Sequence, residues 1–521
     1  MQIRIDRASA VPLARQIRSQ LERLIREGML GPGVKLPASR ELARDLGVNR
    51  ATVSVAYEEL VSEGLARAHV GQGTFVAAPE GKFEASSPNI PSGLDWSGLF
   101  SKGSQLAEVD GRRRALSSQA VRPGPGLISF AGGMPDSGLF PTEAFRRVLN
   151  RVIRAEGTEL LQYYPVGGYP PLRQFLARHL LRFGVEARPD EILIVNGSQQ
   201  GLDLIARVLL DPGDFVAIEE PSYPRAIQVF RASGAQLLPV PLGGEGLRLD
   251  VLERVLGRHA PKLLYCQPTA HNPTGLTLSA DSRRGLLALA ARHRVPVVED
   301  GFDGSLYFAG PRPKAAGPPP KAGEGPPVPL KAADASGLVI YIGTFSKILF
   351  PGLRLGWLVA PRPLLERLEV AKQLSDIHTS PLLQAAVFHF CQRRLLERHL
   401  SRCAAEYGRR RAILLRSLAS RMPKGVTWTE TQGGFSSLVR LPEGMDADAL
   451  LSPALERGVA FTPGSVFFVN GGGESALRLS FSSIPAQRID EGIKRLAEVV
   501  RQALSRPSRR VEVERSLVPL V

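Results

Sequence analysis

Apolar positions in the first 77 residues recur at helical spacing. "PLARQIRSQLERLIREGML" puts Leu13, Ile17, Leu21, Leu24 and Ile25 on one face of a helix. "LGPGVKLP" breaks that run. "ASRELARDLG" predicts a short helix stopped by Gly47, and "VNRATVSVAYEELVSEG" a third, with Asn49 as N-cap and Gly64 at the stop. "LARAHV" and "TFVAA" flank "GQG", which predicts two short strands around a glycine turn.

From about 128 to 504 the period changes. Short apolar runs alternate with helices: "EILIVNG" before "SQQGLDLIARVLL", "DFVAIEEP" before "SYPRAIQVFRASG", then "KLLYCQP", "VPVVEDG" and "GLVIYIGT". Strand–helix alternation on this scale predicts an α/β domain with a mostly parallel sheet. Residues 79–127 between the two patterns are rich in Pro, Gly and Ser and read as a linker, with one helical piece at 96–107. The Pro-rich stretch 309–337 reads as an exposed insertion and 505–521 as a loosely attached tail.

Composition narrows the classes. The 521 residues suffice for several domains, and 43% hydrophobic content allows a large core. Lys and Arg number 66 against 50 Asp and Glu, a formal charge of +16 that suits nucleic acid as a partner but does not require it. The excess is spread out, since residues 1–77 hold 11 basic and 8 acidic side chains. Cys266, Cys391 and Cys403 have neither metal nor redox spacing, and the eight His are scattered, which argues against metal catalysis. With no apolar leader and no long apolar run, a soluble, cytoplasmic protein is expected.

Three helices followed by a hairpin form a winged helix-turn-helix, in which the last helix enters a major groove and the wing lies over the backbone or minor groove. Arg50 and Thr52 open that last helix, Arg40 opens the one before it, and Gly71 sits at the wing tip, where a missing side chain permits close approach. These four are the candidate contacts to double-stranded DNA.

In the α/β part, ligands are expected beyond the carboxyl ends of parallel strands. Unusual polar residues fall there. Ser198 and Gln199 follow a strand and open a helix, whose free N–H groups suit a phosphate. Ser346 and Arg354 flank Lys347 and suit the same anion. Asp300 ends "VPVVED", where a carboxylate can face a protonated ring nitrogen. Asn272 lies in the tight "HNPTG" loop, and Tyr223 in "EEPSYP" can lie against a heteroaromatic ring. Lys347 ends an apolar strand, where an ammonium is costly unless it is paired, depressed in pKa or used covalently. A phosphate cup, a pyridinium partner, a stacking ring and a strand-end lysine together describe a site for pyridoxal 5'-phosphate.

The residues also carry two resemblances. Residues 11–78, through "GVKLPASRELARDLGVNRATVSVAYEELVSEG" and "GQGTFVA", resemble the GntR family DNA-binding domain. One departure is Ala38, where relatives carry a Ser cap, although Glu41 keeps half of the capping box. Residues 128–504, through "YYPVGGYPPLR", "NGSQQGLDL", "HNPTG", "GTFSKILFPGLRLGW" and "LRLSFS", resemble fold-type I aminotransferases, with a smaller C-terminal subdomain. That resemblance implies Lys347 as the Schiff-base lysine, Asp300 on the pyridine nitrogen, Asn272 on the ring hydroxyl and Tyr223 stacked on the ring. It implies Ser198, Gln199, Ser346 and Arg354 on the phosphate, Tyr163 reaching the phosphate of a partner subunit, and Arg478 clamping an α-carboxylate. Phe302 stands where relatives carry a Tyr that donates to the ring oxygen, which puts efficient transamination in doubt. The two halves in this order resemble the MocR subfamily of regulators. The resemblance implies a head-to-tail homodimer, operator DNA, and an amino acid, an amine or pyridoxal phosphate itself as the signal. An aminotransferase that carries a DNA-binding module is the competing reading, and a second domain that only dimerises is the third.

Overall fold

The computed structural model describes residues 3, 5–7, 9, 11–26, 29–31, 33–69, 73–77, 96–105, 126–244, 246–301, 304–308 and 327–505. It divides into two compact units, Met1–Leu99 and Phe100–Val521.

The first unit carries α1 (Leu13–Arg26), α2 (Ser39–Leu46), α3 (Arg50–Ser62) and an antiparallel hairpin of β1 (Ala66–His69) and β2 (Gly73–Val76). Ile17, Leu21, Val53 and Leu60 are fully buried and form the centre of its small core. Each such side chain contributes about 1.5–3 kcal/mol through apolar burial. Local chemistry sets the helix ends. Gly47 takes the left-handed conformation, φ +60°, that closes α2. The Asn49 side chain accepts from the Ala51 N–H at 2.9 Å and starts α3. Ala38 gives α2 no side-chain cap. The Tyr57 hydroxyl donates to the Pro37 carbonyl at 2.8 Å, which fastens the lead-in of α2 to α3. Gly71, at the expected wing tip, lies outside the described residues.

In chain order the strands of the second unit are β3 (Ile128–Ser129), β4 (Ile192–Val195), β5 (Phe215–Glu220), β6 (Gln236–Gly243), β7 (Gly246–Leu247), β8 (Leu263–Cys266), β9 (Val297–Asp300), β10 (Val339–Thr344), β11 (Gly356–Val359), β12 (Thr427–Trp428), β13 (Ser436–Arg440), β14 (Val459–Ala460), β15 (Thr462–Pro463) and β16 (Ala476–Ser480). Eight of them form one sheet in the order β4-β11-β10-β9-β8-β5-β6-β7. The neighbours β10, β9, β8, β5 and β6 are parallel, while β11 runs against both β10 and β4. β4, β8, β9 and β11 are buried at every position, as strands covered by helices on both faces must be. A four-stranded antiparallel sheet, β12-β13-β16-β15, follows beside the packed helices Leu395–Arg421 and Ala486–Ser505 and forms the smaller C-terminal subdomain.

Two expectations from the sequence change. The helical piece expected at 96–107 is a short 3-10 turn at Trp96–Leu99 followed by helical residues 102–105. The stretch 309–337, read as wholly exposed, is described only from 327, and that part is fastened down. Leu330 is buried, and Glu299 accepts from the Leu330 and Lys331 N–H groups, each at 2.8 Å. Proline content hid this anchor, because a buried carboxylate supplied from another strand satisfies the backbone there.

Candidate functional site

The carboxyl ends of β4, β5, β8, β9 and β10 meet at one edge of the large sheet, and a pocket opens there. It encloses about 670 Å³, counting the part open to solvent. Ser198, Tyr223, Asn272, Asp300, Lys347 and Arg478 all line it.

β4 is wholly apolar and ends at Val195, with Asn196 following it. Gly197, at φ +82°, turns the chain into the helix Ser198–Leu209. That left-handed φ is strained for any residue with a side chain, and a Cβ at Gly197 would lie 2.7 Å from Arg354 Nη2 and displace the guanidinium. No side chain caps the helix, and its N-terminus faces the pocket through Ser198. Uncapped first-turn amides beside an arginine suit an anion. Gln199, Ser346 and Arg354 do not line the pocket, although Gln199 belongs to the turn's helix and Arg354 touches the turn. Gln199 Oε1 is buried without a hydrogen bond among the described residues. The Ser346 N–H donates to Thr344 Oγ1 at 3.1 Å, and Arg354 donates to the Asn196 carbonyl at 3.1 Å.

Asp300 is the last residue of β9. Its Oδ2 accepts from the Tyr265 hydroxyl and from Gln267 Nε2, each at 2.8 Å, while no described residue donates to Oδ1. Burial pushes the Asp300 carboxyl above the usual carboxylate range, against the pull of those two bonds. A cationic ring N–H at the open oxygen would offset that burial.

Lys347 follows β10 and donates from Nζ to the Gly133 carbonyl at 2.8 Å. Burial, aided by the positive charge of Arg478, lowers its ammonium to about 8. A lysine held there is partly a free amine near neutral pH and therefore nucleophilic. Uptake of an aldehyde at Lys347 should accordingly rise with pH up to about 8 and level off above it. Borohydride-trapped incorporation measured from pH 6 to 10 checks this, and a rate that is flat or falls with pH contradicts it.

Arg478 comes from β16, in the other sheet. It donates to Asn272 Oδ1 at 3.0 Å, to the Ala131 carbonyl at 2.9 Å, to Thr462 Oγ1 at 3.1 Å and to the Gly132 carbonyl. Its Nε is buried without a partner among the described residues. Burial brings the guanidinium down to about 10. A buried cation with an unspent donor is the natural counterpart of a carboxylate. Tyr163, by contrast, is 79% exposed, away from this pocket, with its ring edge-on to His378 at 5.9 Å. Phe302 lies outside the described residues.

Tyr265, Gln267 and Gly133 belong to the pocket's machinery and escape a reading of motifs. Tyr265 and Gln267 stand two apart at the end of β8, on one side of the chain, and that alternation was the available signal. Gly133 offers a backbone carbonyl, which leaves no trace in residue type.

In the first unit Arg40 and Arg50 are exposed and Thr52 is half-buried. Arg50, the first residue of α3, lies 3.4 Å through Nε from Ser39 Oγ at the start of α2, so the two helix starts adjoin. Among the described residues no cluster of His, Cys, Asp and Glu could hold a metal, and no helix is long and apolar enough to cross a membrane.

An uncapped helix start, a buried carboxylate with an open oxygen and a depressed strand-end lysine fit the phosphate, ring nitrogen and carbonyl of pyridoxal phosphate. They define the second unit as a fold-type I pyridoxal phosphate domain. Residues 128–496 match the aminotransferase class I and II family, and residues 13–76 match the gntR family of bacterial regulatory proteins. A 2-aminoadipate transaminase of Thermus thermophilus is 40% identical over 79% of this chain and 99% of its own length. The crystal structure of LysN, an alpha-aminoadipate aminotransferase from Thermus thermophilus complexed with N-(5'-phosphopyridoxyl)-L-leucine, superposes with a TM-score of 0.71. It is 39% identical over 79% of this chain and 99% of that one. A Rhizobium meliloti relative that carries the name MocR is 31% identical over 94% of each chain, both units included. The chain belongs to the MocR-type regulators, in which a GntR-family DNA-binding domain precedes a class I and II aminotransferase domain that takes pyridoxal phosphate.

Proposed function

We propose that this chain is a transcriptional regulator that holds promoter DNA through the first unit and reads a small amine through the second. The amine is an amino acid or a related compound, or the signal is pyridoxal phosphate itself. The observation that carries this reading is one pocket that gathers Lys347, Asp300, Ser198 and Arg478 in a chain whose residues 13–76 match a DNA-binding family. Pyridoxal phosphate, when bound, supplies a carbonyl conjugated to an electron-withdrawing ring, which takes up primary amines.

The chain's own side chains then divide the work. Ser198 and the first-turn amides hold the phosphoryl group, with Gln199, Ser346 and Arg354 around the turn. Asp300 keeps a proton on the ring nitrogen. Asn272 is fixed by Arg478 through Oδ1, which leaves its amide N–H groups for the ring oxygen. Tyr223 covers a ring face. Lys347 is the amine that an incoming amine replaces, and Arg478 holds a carboxylate where the ligand has one. The protein works as a head-to-tail homodimer in the bacterial cytoplasm, and Tyr163, exposed in the single chain, serves the neighbouring pocket. Ligand binding differs in free energy between two arrangements of the dimer, and that difference changes operator affinity. Arg40, Arg50, Thr52 and Gly71 are the DNA contacts.

Titration of the purified protein with amino acids and amines, read by visible absorbance and by footprinting on the adjacent promoter, tests the reading. The ligand that shifts the absorbance should also shift the footprint. Steady keto-acid release from an amino acid and 2-oxoglutarate, with an unchanged footprint, supports a working transaminase instead. Arg478→Lys should keep the cofactor's absorbance while weakening the response to carboxylate-bearing ligands by about tenfold or more, since one charge-assisted hydrogen bond is at stake. The response to amines without a carboxylate should stay. Equal loss for both ligand classes, measured by titration, removes Arg478 from that role.

A further inference from the structure

Behind the turn that opens the helix Ser198–Leu209 lies an ion pair that no catalytic role requires. Lys372 is 0% exposed, although it sits on the helix Arg362–Asp376, which borders solvent at several positions. Its Nζ is 2.7 and 2.8 Å from the two carboxylate oxygens of Asp376 and 3.4 Å from Gln200 Oε1. Asp376 Oδ2 also accepts from Gln200 Nε2 at 2.7 Å and from Asn196 Nδ2. Gln200 Oε1 in turn accepts from the Asn196 backbone N–H at 2.7 Å. Asn196 and Gln200 bracket Gly197-Ser198-Gln199. From the other side Arg354 holds the Asn196 carbonyl at 3.1 Å. The turn is therefore gripped at both ends.

An exposed lysine–aspartate pair four apart on a helix adds little to its stability, whereas burying an ammonium is costly. Helix stability alone does not account for a buried Lys372. Three donors on one carboxylate do fix the rotamers of two amide side chains that otherwise have several, and a binding turn fixed beforehand does not lose that freedom when it binds.

We propose that Lys372 and Asp376 are positioning residues for the phosphate-binding turn. Through Asn196 and Gln200 they aim the first-turn amides of the helix Ser198–Leu209 at the phosphoryl group. Lys372 also keeps the carboxylate of Asp376 from repelling that dianion. The proposal rests on the pyridoxal phosphate reading of the pocket.

The test compares pyridoxal phosphate with pyridoxal, which lacks the phosphoryl group, on the full chain, by equilibrium absorbance and borohydride-trapped incorporation at Lys347. Lys372→Met leaves Asp376 unneutralised and should weaken pyridoxal phosphate binding by about tenfold or more while leaving pyridoxal unchanged. The double variant Lys372→Met/Asp376→Leu removes both charges, so it is not burdened by an unpaired buried ion. It should fold with an unchanged melting temperature and still bind pyridoxal phosphate about tenfold more weakly, because both amides have lost their anchor. Unchanged affinity in the double variant, or equal loss for pyridoxal and its phosphate, overturns the positioning role. Failure of the natural chain to take up either compound overturns instead the reading on which it rests.

Discussion

Replacing Lys347 with alanine should abolish covalent retention of pyridoxal phosphate and leave operator binding without ligand near its natural strength. The lysine is the nucleophilic amine lining the pocket, and its ammonium is depressed to about 8 by burial and by Arg478. Removal takes away the covalent link but not the uncapped helix start, the open oxygen of Asp300 or the grip of Arg354 on the turn. Lys347→Ala should therefore still bind the cofactor, reversibly, and lose it on dialysis after borohydride treatment. The natural chain should keep it. Loss of the side chain should not unfold the chain, since the hydrogen bond described for Lys347 is a single contact to the Gly133 carbonyl. DNA binding is housed in a separate compact unit with its own core around Ile17, Leu21 and Leu60. A variant that keeps label after borohydride and dialysis would show that another amine does this work.

How much of this was visible beforehand depends on where each interaction is encoded. Lys347, Asp300 and Ser198 stand out because each ends or closely follows an apolar run at the carboxyl end of a strand, and such a break in pattern is local. The helices of the first unit were legible for the same reason. Gly47 and Asn49 act on the backbone within four residues of themselves. Tyr265 was not legible. In "KLLYCQP" it reads as one more apolar strand residue, and only the parallel register of β8 beside β9 brings its hydroxyl to Asp300. Lys372 and Asp376 read as an ordinary solvated pair four apart. They acquire meaning because their helix packs on the one that follows β4, a contact between residues about 170 positions apart, with Asp376 and Gln200 separated by 176. Leu330 reversed the expectation for its stretch for a related reason, since the buried carboxylate that anchors it lies 31 residues upstream. Local chemistry marks the ends of elements, whereas the partners of buried polar groups are set by the assembled sheet.

Replacing Arg50 with alanine should weaken operator binding by about tenfold or more while leaving the cofactor's absorbance intact. Loss of one arginine contact to a base edge or phosphate is worth about 1–3 kcal/mol, and 1.4 kcal/mol is a factor of ten. Arg50 is suited to the role by position. It is the first residue of α3, exposed, and restrained among the described residues by a long contact of 3.4 Å to Ser39 Oγ. The neighbouring Asn49 cap already satisfies the Ala51 N–H, so α3 does not depend on the arginine for its start and should keep its helix in the variant. Folding and recognition can thus be separated here, which is not true of the buried side chains beside it. The salt dependence then tells which contact was lost. If Arg50 neutralises a phosphate, affinity falls for every sequence alike and the slope of log K against log[salt] drops by about 1. If it reads a base edge, the natural operator loses affinity and its mutated versions lose less. Arg40 is exposed on α2, at the adjoining helix start, and should behave as a phosphate contact in the same assay. Gel shifts at natural affinity for Arg50→Ala would move recognition away from the start of α3.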